Sequence, residues 1–341
     1  MYKSKNYFFR INSDPKIGLG HLARCLILAK YLKKNCYFII DKSNENYFKN
    51  LKINLISIYK NEKYKDELSD AIKVEKIIKK FENVCLIADD YRIGIKWHKY
   101  FRKKNIKILV IDDLLNRRFE TDIYLNFRLD STKEFKEKLT KLINKDSVKL
   151  IGPEYCIFDN KLKKREDKSF NIMINFGNSF DFGDTTEQII KIYKIVYKKI
   201  KKLKFYITVG NGSTNYSNLI DYSNKNKNFK IIYKKFGISS YLSKMDLFVG
   251  SASTSIYEMS FLKTPSIFVI CNKTQDYKIS EMEKLGHYFL INLAEFKNKN
   301  FLKFLNGYLN NFNSIKDLFL NREINIDNIG AQRVCKEIKK I

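Results

Sequence analysis

The stretch Gly18-Leu19-Gly20-His21-Leu22-Ala23-Arg24-Cys25 follows a short apolar run, Tyr7 to Ile11, and opens an apolar segment that reaches about Lys33. That order reads as strand, glycine-rich turn and helix. A helix that starts at such a turn offers free backbone N–H groups and the positive end of its dipole, which suit the phosphates of a nucleotide. The same dipole disfavours an imidazolium, so a histidine placed there stays neutral and able to accept a proton. His21 is one of only 3 histidines in the chain, which leaves few competitors for a general base. A capping or packing histidine is the competing reading of the same stretch.

Outward from this turn, further strand-like runs alternate with helical ones: Cys36–Ile40, Ile53–Ile58, Cys85–Ala88, Ile108–Ile111 and Ile123–Leu125. Several are continuously apolar, which suits a parallel sheet buried on both faces. Polar residues follow the strand ends, at Asn12 to Gly20, Asp89-Asp90-Tyr91 and Asp112-Asp113. In open α/β sheets, ligands bind beyond the carboxyl ends of the strands. After the Lys-rich stretch Asn160 to Ser169, which reads as a linker, the alternation resumes with Ile172–Phe176, Phe205–Val209, Lys230–Tyr233, Leu247–Val249 and Ser266–Ile270. The expected architecture is therefore α/β: two Rossmann-like domains facing across a cleft, spanning residues 1–158 and 169–325, with a C-terminal helix at 326–341.

Composition narrows the function. A chain of 341 residues with 44% hydrophobic content is long enough for two cores. No uninterrupted apolar run approaches the ~20 residues that span a bilayer, and no secretory apolar region follows the N-terminal residues, so a cytoplasmic protein without membrane insertion is expected. The 6 cysteines lack a CxxC pair and sit in apolar runs, as reduced core thiols do. The formal net charge of +28 points superficially to nucleic acid. Its lysines, however, are spread over nearly every polar helix face, and the dense runs Lys161–Arg165 and Lys198–Lys204 lack interleaved aromatics, so solvated faces are expected rather than a nucleic-acid surface.

In the second half, Val249-Gly250-Ser251-Ala252-Ser253-Thr254-Ser255-Ile256-Tyr257-Glu258 leads from a strand through small residues into a helix. Small side chains let a diphosphate approach the backbone, and the hydroxyls of Ser253, Thr254 and Ser255 add donors. Glu258, one turn into the helix, is placed to accept hydrogen bonds from a ribose. A second glycine loop, Phe176-Gly177-Asn178-Ser179, also follows a strand. Ordinary capping by Ser, Thr and Gly explains either loop taken alone. Neither has GxGxxG spacing or a P-loop lysine, so a nucleotide-sugar diphosphate is favoured over a dinucleotide or ATP.

Several strings together resemble the UDP-2,4-diacetamido-2,4,6-trideoxy-β-L-altropyranose hydrolases of pseudaminic acid biosynthesis. They are Ile17 to Cys25, Asp90-Tyr91, Ile111-Asp112-Asp113-Leu114 with Asn116-Arg117, Asp122 with Leu125-Asn126, Gly152-Pro153-Glu154-Tyr155, Ser251-Ala252-Ser253 to Glu258, and Pro265 to Gln275. The resemblance implies a fold like the GT-B glycosyltransferases and an inverting, metal-independent hydrolysis that frees UDP and uses no cofactor. It implies His21 as general base, Tyr91 near the sugar, Gly18 and Gly20 at the diphosphate, and Ser253, Thr254, Ser255 and Glu258 on the uridine and ribose side. Asn178, Thr274 and Gln275 fall at further substrate contacts. The implied partner is the UDP-sugar alone, with the chain acting as a monomer. A GT-B-like UDP-sugar glycosyltransferase, in which His21 deprotonates an acceptor hydroxyl, is the alternative.

The chain also departs from that pattern. Asn12 stands where relatives usually carry an aspartate, which removes one carboxylate that would orient His21. Gly177-Asn178-Ser179-Phe180 replaces a Gly-Gly-Ser/Thr-Asp loop, and Thr274-Gln275 replaces an Asn-Gln pair. Asp89, Asp90, Asp112 and Asp113 would be the donors if a metal were bound, although loop and cap formation accounts for them equally well. His98 and His287 are expected in surface or packing roles.

Overall fold

The computed structural model describes residues 4–12, 20–33, 35–42, 51–59, 62–210, 212–233, 238–272, 275 and 277–341. It divides into two compact units, Met1–Phe158 with Ile329–Ile341, and Asp159–Asn328.

The first unit runs β1 (Asn6–Ile11), α1 (Gly20–Leu32), β2 (Cys36–Asp41), β3 (Asn54–Ile58), α2 (Glu67–Ile78), β4 (Val84–Asp89), α3 (Ile95–Arg102), β5 (Lys107–Ile111), β6 (Ile123–Asn126), α4 (Lys133–Leu142) and β7 (Val148–Ile151). Its strands are hydrogen-bonded in the order β3-β2-β1-β4-β5-β6-β7, with every pairing parallel. The chain therefore reverses its direction of growth between β1 and β4, the switch point at which open α/β sheets bind ligands. Ile11 stands opposite Asp89 there. Continuously apolar strands fit this position because both sheet faces are covered: Phe8, Phe9, Leu86, Ile87, Ile108 and Leu109 have no exposed surface.

The second unit repeats the plan: β8 (Phe170–Asn175), α5 (Thr186–Lys199), β9 (Leu203–Val209), α6 (Ser217–Lys225), β10 (Phe229–Tyr233), α7 (Ser239–Leu242), β11 (Leu247–Ser251), α8 (Ser255–Leu262), β12 (Ser266–Ile270), α9 (Ile279–Lys284), β13 (Leu290–Asn292), α10 (Leu293–Lys297), α11 (Lys299–Asn310) and α12 (Phe312–Leu320). Its parallel order is β10-β9-β8-β11-β12-β13, so the switch lies between β8 and β11. The 3.6-residue period of α5 turns Ile189, Ile192, Tyr193 and Val196 inward. Each such side chain contributes roughly 1.5–3 kcal/mol by burial.

The Lys-rich stretch after residue 159 is tied to the second unit rather than hanging free. Leu162 is buried, and the Arg165 N–H donates to the Ser243 carbonyl at 2.8 Å. The last helix, α13 (Gly330–Lys340), belongs to the first unit, where Cys335 Sγ lies 3.6 Å from the Leu28 carbonyl of α1. A Cβ at Gly330 would meet the Cys156 carbonyl at 2.2 Å, so only glycine fits that approach. All six cysteines are free, and all but Cys271 are buried. The dense lysine runs are exposed. Among the described residues, no helix is long and apolar enough to cross a membrane.

Candidate functional site

Gly20 opens α1 and is exposed, whereas His21, the next residue, is 5% exposed. The helix carries no acidic residue in its first turn, so its N-terminal dipole is unopposed by its own side chains. His21 Nδ1 lies 2.5 Å from Oδ1 of Asp89, the last residue of β4. An ionised carboxylate has no proton to donate, so this contact assigns the proton to Nδ1 and leaves Nε2 as the basic nitrogen. The Tyr91 ring meets the imidazole edge-on at 4.7 Å between centroids.

Asp89 is shared. Arg24, one helical turn beyond His21, donates from Nε to Asp89 Oδ2 at 2.6 Å and from Nη2 to Oδ1 at 2.5 Å. Its Nη1 reaches Asp113 Oδ2 at 2.8 Å, and the Tyr91 hydroxyl donates to that same oxygen at 3.0 Å. Burial opposes ionisation of Asp89, but the Arg24 guanidinium and His21 outweigh it and hold the carboxyl well below the usual range. Burial likewise disfavours a charged Arg24, and the carboxylates of Asp113 and Asp89 more than compensate. The result is one connected set: base, orienting carboxylate, guanidinium, second carboxylate and phenol.

The remaining aspartates of the suspected metal set are occupied too. Asp90 receives Arg92 Nη2 at 2.5 Å, and Asp112 receives Arg117 Nη1 at 2.8 Å together with the Leu115 N–H at 2.7 Å and the Tyr124 hydroxyl at 3.0 Å. Among the described residues, no three His, Cys, Asp or Glu side chains are grouped to hold a metal ion. Beside this corner lies a second ion network. Fully buried Arg10 donates to Asp70 at 2.6 Å and to Asp41 at 2.9 Å, while Asp70 also accepts from Tyr59 and from the Trp97 indole at 3.0 Å each.

The other histidines pack. His98 is fully buried against Trp97 and Phe119, and burial, with Arg117 adding, lowers its pKa to about 3. His287 Nε2 donates to the Ile256 carbonyl at 2.7 Å, and burial lowers its pKa to about 4.

In the second unit the two loops named from the sequence lie on either side of the switch point. A Cβ at Gly177 would be 4.0 Å from Ser251 Oγ, and Gly177 itself adopts a left-handed φ of 93°. The half-buried Asn178 presents its carbonyl to the Gly212 N–H at 3.0 Å. A Cβ at Gly250 would strike the Asn175 carbonyl at 2.3 Å, so glycine is required where β11 passes β8. Ser253 is exposed and Thr254 half-buried, whereas Ser255 is buried and donates to the Ser251 carbonyl at 3.0 Å. Ser253 and Ser255 hydroxyls are 3.3 Å apart. Glu258 is half-buried, and burial, reinforced by the charge of Asp159, raises its pKa to about 7. Gln275 Oε1 accepts from the Cys271 N–H at 2.8 Å. Gly18 and Thr274 lie outside the described residues.

Sequence reading singled out His21 and Tyr91, which the structure brings into contact, but not the partners that link them. Arg24 stood inside the quoted turn, three residues from His21 and hence on the same helix face. Asp89 and Asp113 were visible only as acids after strands, because their pairing with residues 65 or more positions away depends on the sheet order.

No family model matches the chain. An uncharacterized protein of Methanocaldococcus jannaschii is 24% identical over 281 residues, 77% of this chain, which spans only 55% of that relative's length. The UDP-2,4-diacetamido-2,4,6-trideoxy-beta-L-altropyranose hydrolase of Campylobacter jejuni is 24% identical over 289 residues, covering 82% of this chain and 96% of that one. Among solved structures, Acinetobacter baumannii MurG superposes with a TM-score of 0.60 at 14% identity, over 99% of this chain and 100% of that one. A UDP-N-acetylglucosamine 2-epimerase gives a TM-score of 0.62 at 12% identity, over 99% and 96%. These likenesses establish the fold as the GT-B kind, built of two parallel-sheet α/β units.

Proposed function

We propose that the chain is a UDP-sugar hydrolase that frees UDP, with inversion, from a UDP-linked 2,4-diacetamido-2,4,6-trideoxyhexose in nonulosonate (pseudaminic acid) biosynthesis. The observation that carries this reading is the His21–Asp89 contact at 2.5 Å, which engages Nδ1 and leaves Nε2 turned away from the carboxylate at the switch point of the first sheet. Support comes also from the 24% identical Campylobacter jejuni hydrolase, matched over 96% of its length.

In this mechanism the water oxygen bonds to the anomeric carbon as the bond from that carbon to the β-phosphate oxygen breaks. The bonding pair leaves with UDP, and the water proton passes to His21 Nε2. The diphosphate is a good leaving group, and the N-terminal end of α1 at Gly20 supplies the N–H groups and dipole that suit its charge; Gly18 is assigned to the diphosphate from its place in the sequence alone. Tyr91 is assigned to the sugar side. Asn178, Ser253, Thr254, Ser255, Glu258 and Gln275 are assigned to UDP and its sugar, supported by their placement around the switch point of the second sheet or just beyond β12; Thr274 is assigned there from its place in the sequence alone.

A panel of UDP-linked 2,4-diacetamido sugars, incubated with the protein and no acceptor, tests the proposal. Release of UDP with formation of the inverted anomer is expected. Release that requires an added acceptor sugar would instead make the chain a glycosyltransferase.

A further inference from the structure

His21 sits in a group whose charges do not balance. Among the described residues, the titratable groups that face it are Asp89 from β4, Arg24 and Cys25 from its own helix, and Tyr91 just after β4, with Asp113 joined through Arg24 and Tyr91. Cys25 and Tyr91 are both held protonated, their pKa values raised by burial. One guanidinium then faces two carboxylates, which leaves the group one negative charge in excess while the imidazole is neutral. Arg24 already satisfies Asp89 through two hydrogen bonds, so without Asp113 the pair would be neutral and would offer an imidazolium little net attraction. Asp113 supplies the missing charge. Its Oδ2 takes both Arg24 and Tyr91, and its Oδ1 is buried without a hydrogen-bond partner among the described residues.

We propose that Asp113 is a positioning residue for the base: acting through Arg24, it supplies the negative charge that the proton taken up by His21 neutralises. Asp89 fixes which nitrogen accepts the proton, and Asp113 fixes how strongly it is held. The consequence for rate rests on the hydrolase reading above, whereas the charge linkage itself does not.

The test compares wild type, Asp113→Asn and Asp113→Glu. The nitrogen resonances of the His21 imidazole, assigned by their loss in His21→Asn, are followed against pH in the absence of any substrate. Wild type should show the proton on Nδ1, and Asp113→Asn should protonate at lower pH, since a positive charge is harder to add once a negative one has gone. Asp113→Glu, which keeps the charge, should return toward wild type. UDP release from the UDP-linked diacetamido sugar should fall about tenfold in kcat for Asp113→Asn, with KM within about twofold and the acid limb of the rate profile moved to lower pH. A residue that merely tethered Arg24 would change stability without moving the titration. An unmoved His21 titration in folded Asp113→Asn overturns the proposal. A moved titration in a protein that releases no UDP from any sugar upholds the charge linkage and overturns the hydrolase reading instead. If Asp113→Asn fails to fold, a wild-type His21 protonated on Nε2 overturns the arrangement by itself.

Discussion

The two units use the same sheet order, yet their switch points are furnished differently. In the first, charged side chains from β1, β2, β4, α1 and α2 meet and pair with one another: Arg24 with Asp89 and Asp113, Arg10 with Asp70 and Asp41, Arg92 with Asp90. In the second, hydroxyls and glycines line the turn into α8, and the carboxyl there, Glu258, is raised to about 7 by burial together with the like charge of Asp159. The contrast is between a corner of ion pairs fixed by one another and a turn of small neutral groups held by local hydrogen bonds. Fixed, mutually paired groups suit proton transfer, which needs a defined tautomer. Small side chains and hydroxyls at a helix start suit the binding of a polar nucleotide.

The sharpest way to break this contrast is at His21. His21→Asn should keep the fold and UDP affinity while lowering turnover by roughly 10²–10⁴-fold, the usual worth of a positioned general base. Near-normal UDP release by that variant would reduce the first corner to a structural cluster.

The ion network beside it offers the next largest effect. Arg10 and Asp70 are both fully buried, so Arg10→Met leaves the Asp70 carboxylate without its cation, while Asp41 and Asp90 keep Arg92. The expected loss is about 3–5 kcal/mol of stability, read by denaturant unfolding. A loss below about 1 kcal/mol would show that the network is more hydrated than its burial implies.

The smallest effect belongs to the second unit. Glu258→Ala should weaken UDP by about 1–3 kcal/mol in calorimetric titration, whereas His21 substitutions should leave it unchanged. Because the folded-state pKa of Glu258 lies above its ordinary 4.5, the carboxyl favours folding below that pH, and the advantage is lost as pH rises toward about 7. Glu258→Gln should therefore gain stability relative to wild type across that window, and a constant difference would place the carboxyl in ordinary solvent.

Much of this was legible beforehand where local rules decide. Apolar runs marked the long strands to within a residue or two, but β7 and β13 escaped because Val148–Ile151 alternates with an exposed lysine and Leu290–Asn292 is only three residues long. His98, on a short amphipathic helix, was open to a surface role. Phe119 stacks on it, and its burial becomes complete, only once α3 lies on the sheet.

The sequence by itself determined the alternation of strand and helix, the glycine turn that sets His21 at a helix start, and the hydroxyl-rich turn before Glu258, because these depend on residues adjacent in the chain. The tertiary structure alone decided which carboxylate meets which cation. Asn12 removes one carboxylate that would orient His21. The pairing of β1 with β4 supplies Asp89 from 68 residues away, and β5 brings Asp113 to Arg24 across 89. Such contacts follow from strand order, a property of the closed sheet, and the physical reason they were hidden is that hydrogen bonds across a parallel sheet leave no period in the sequence.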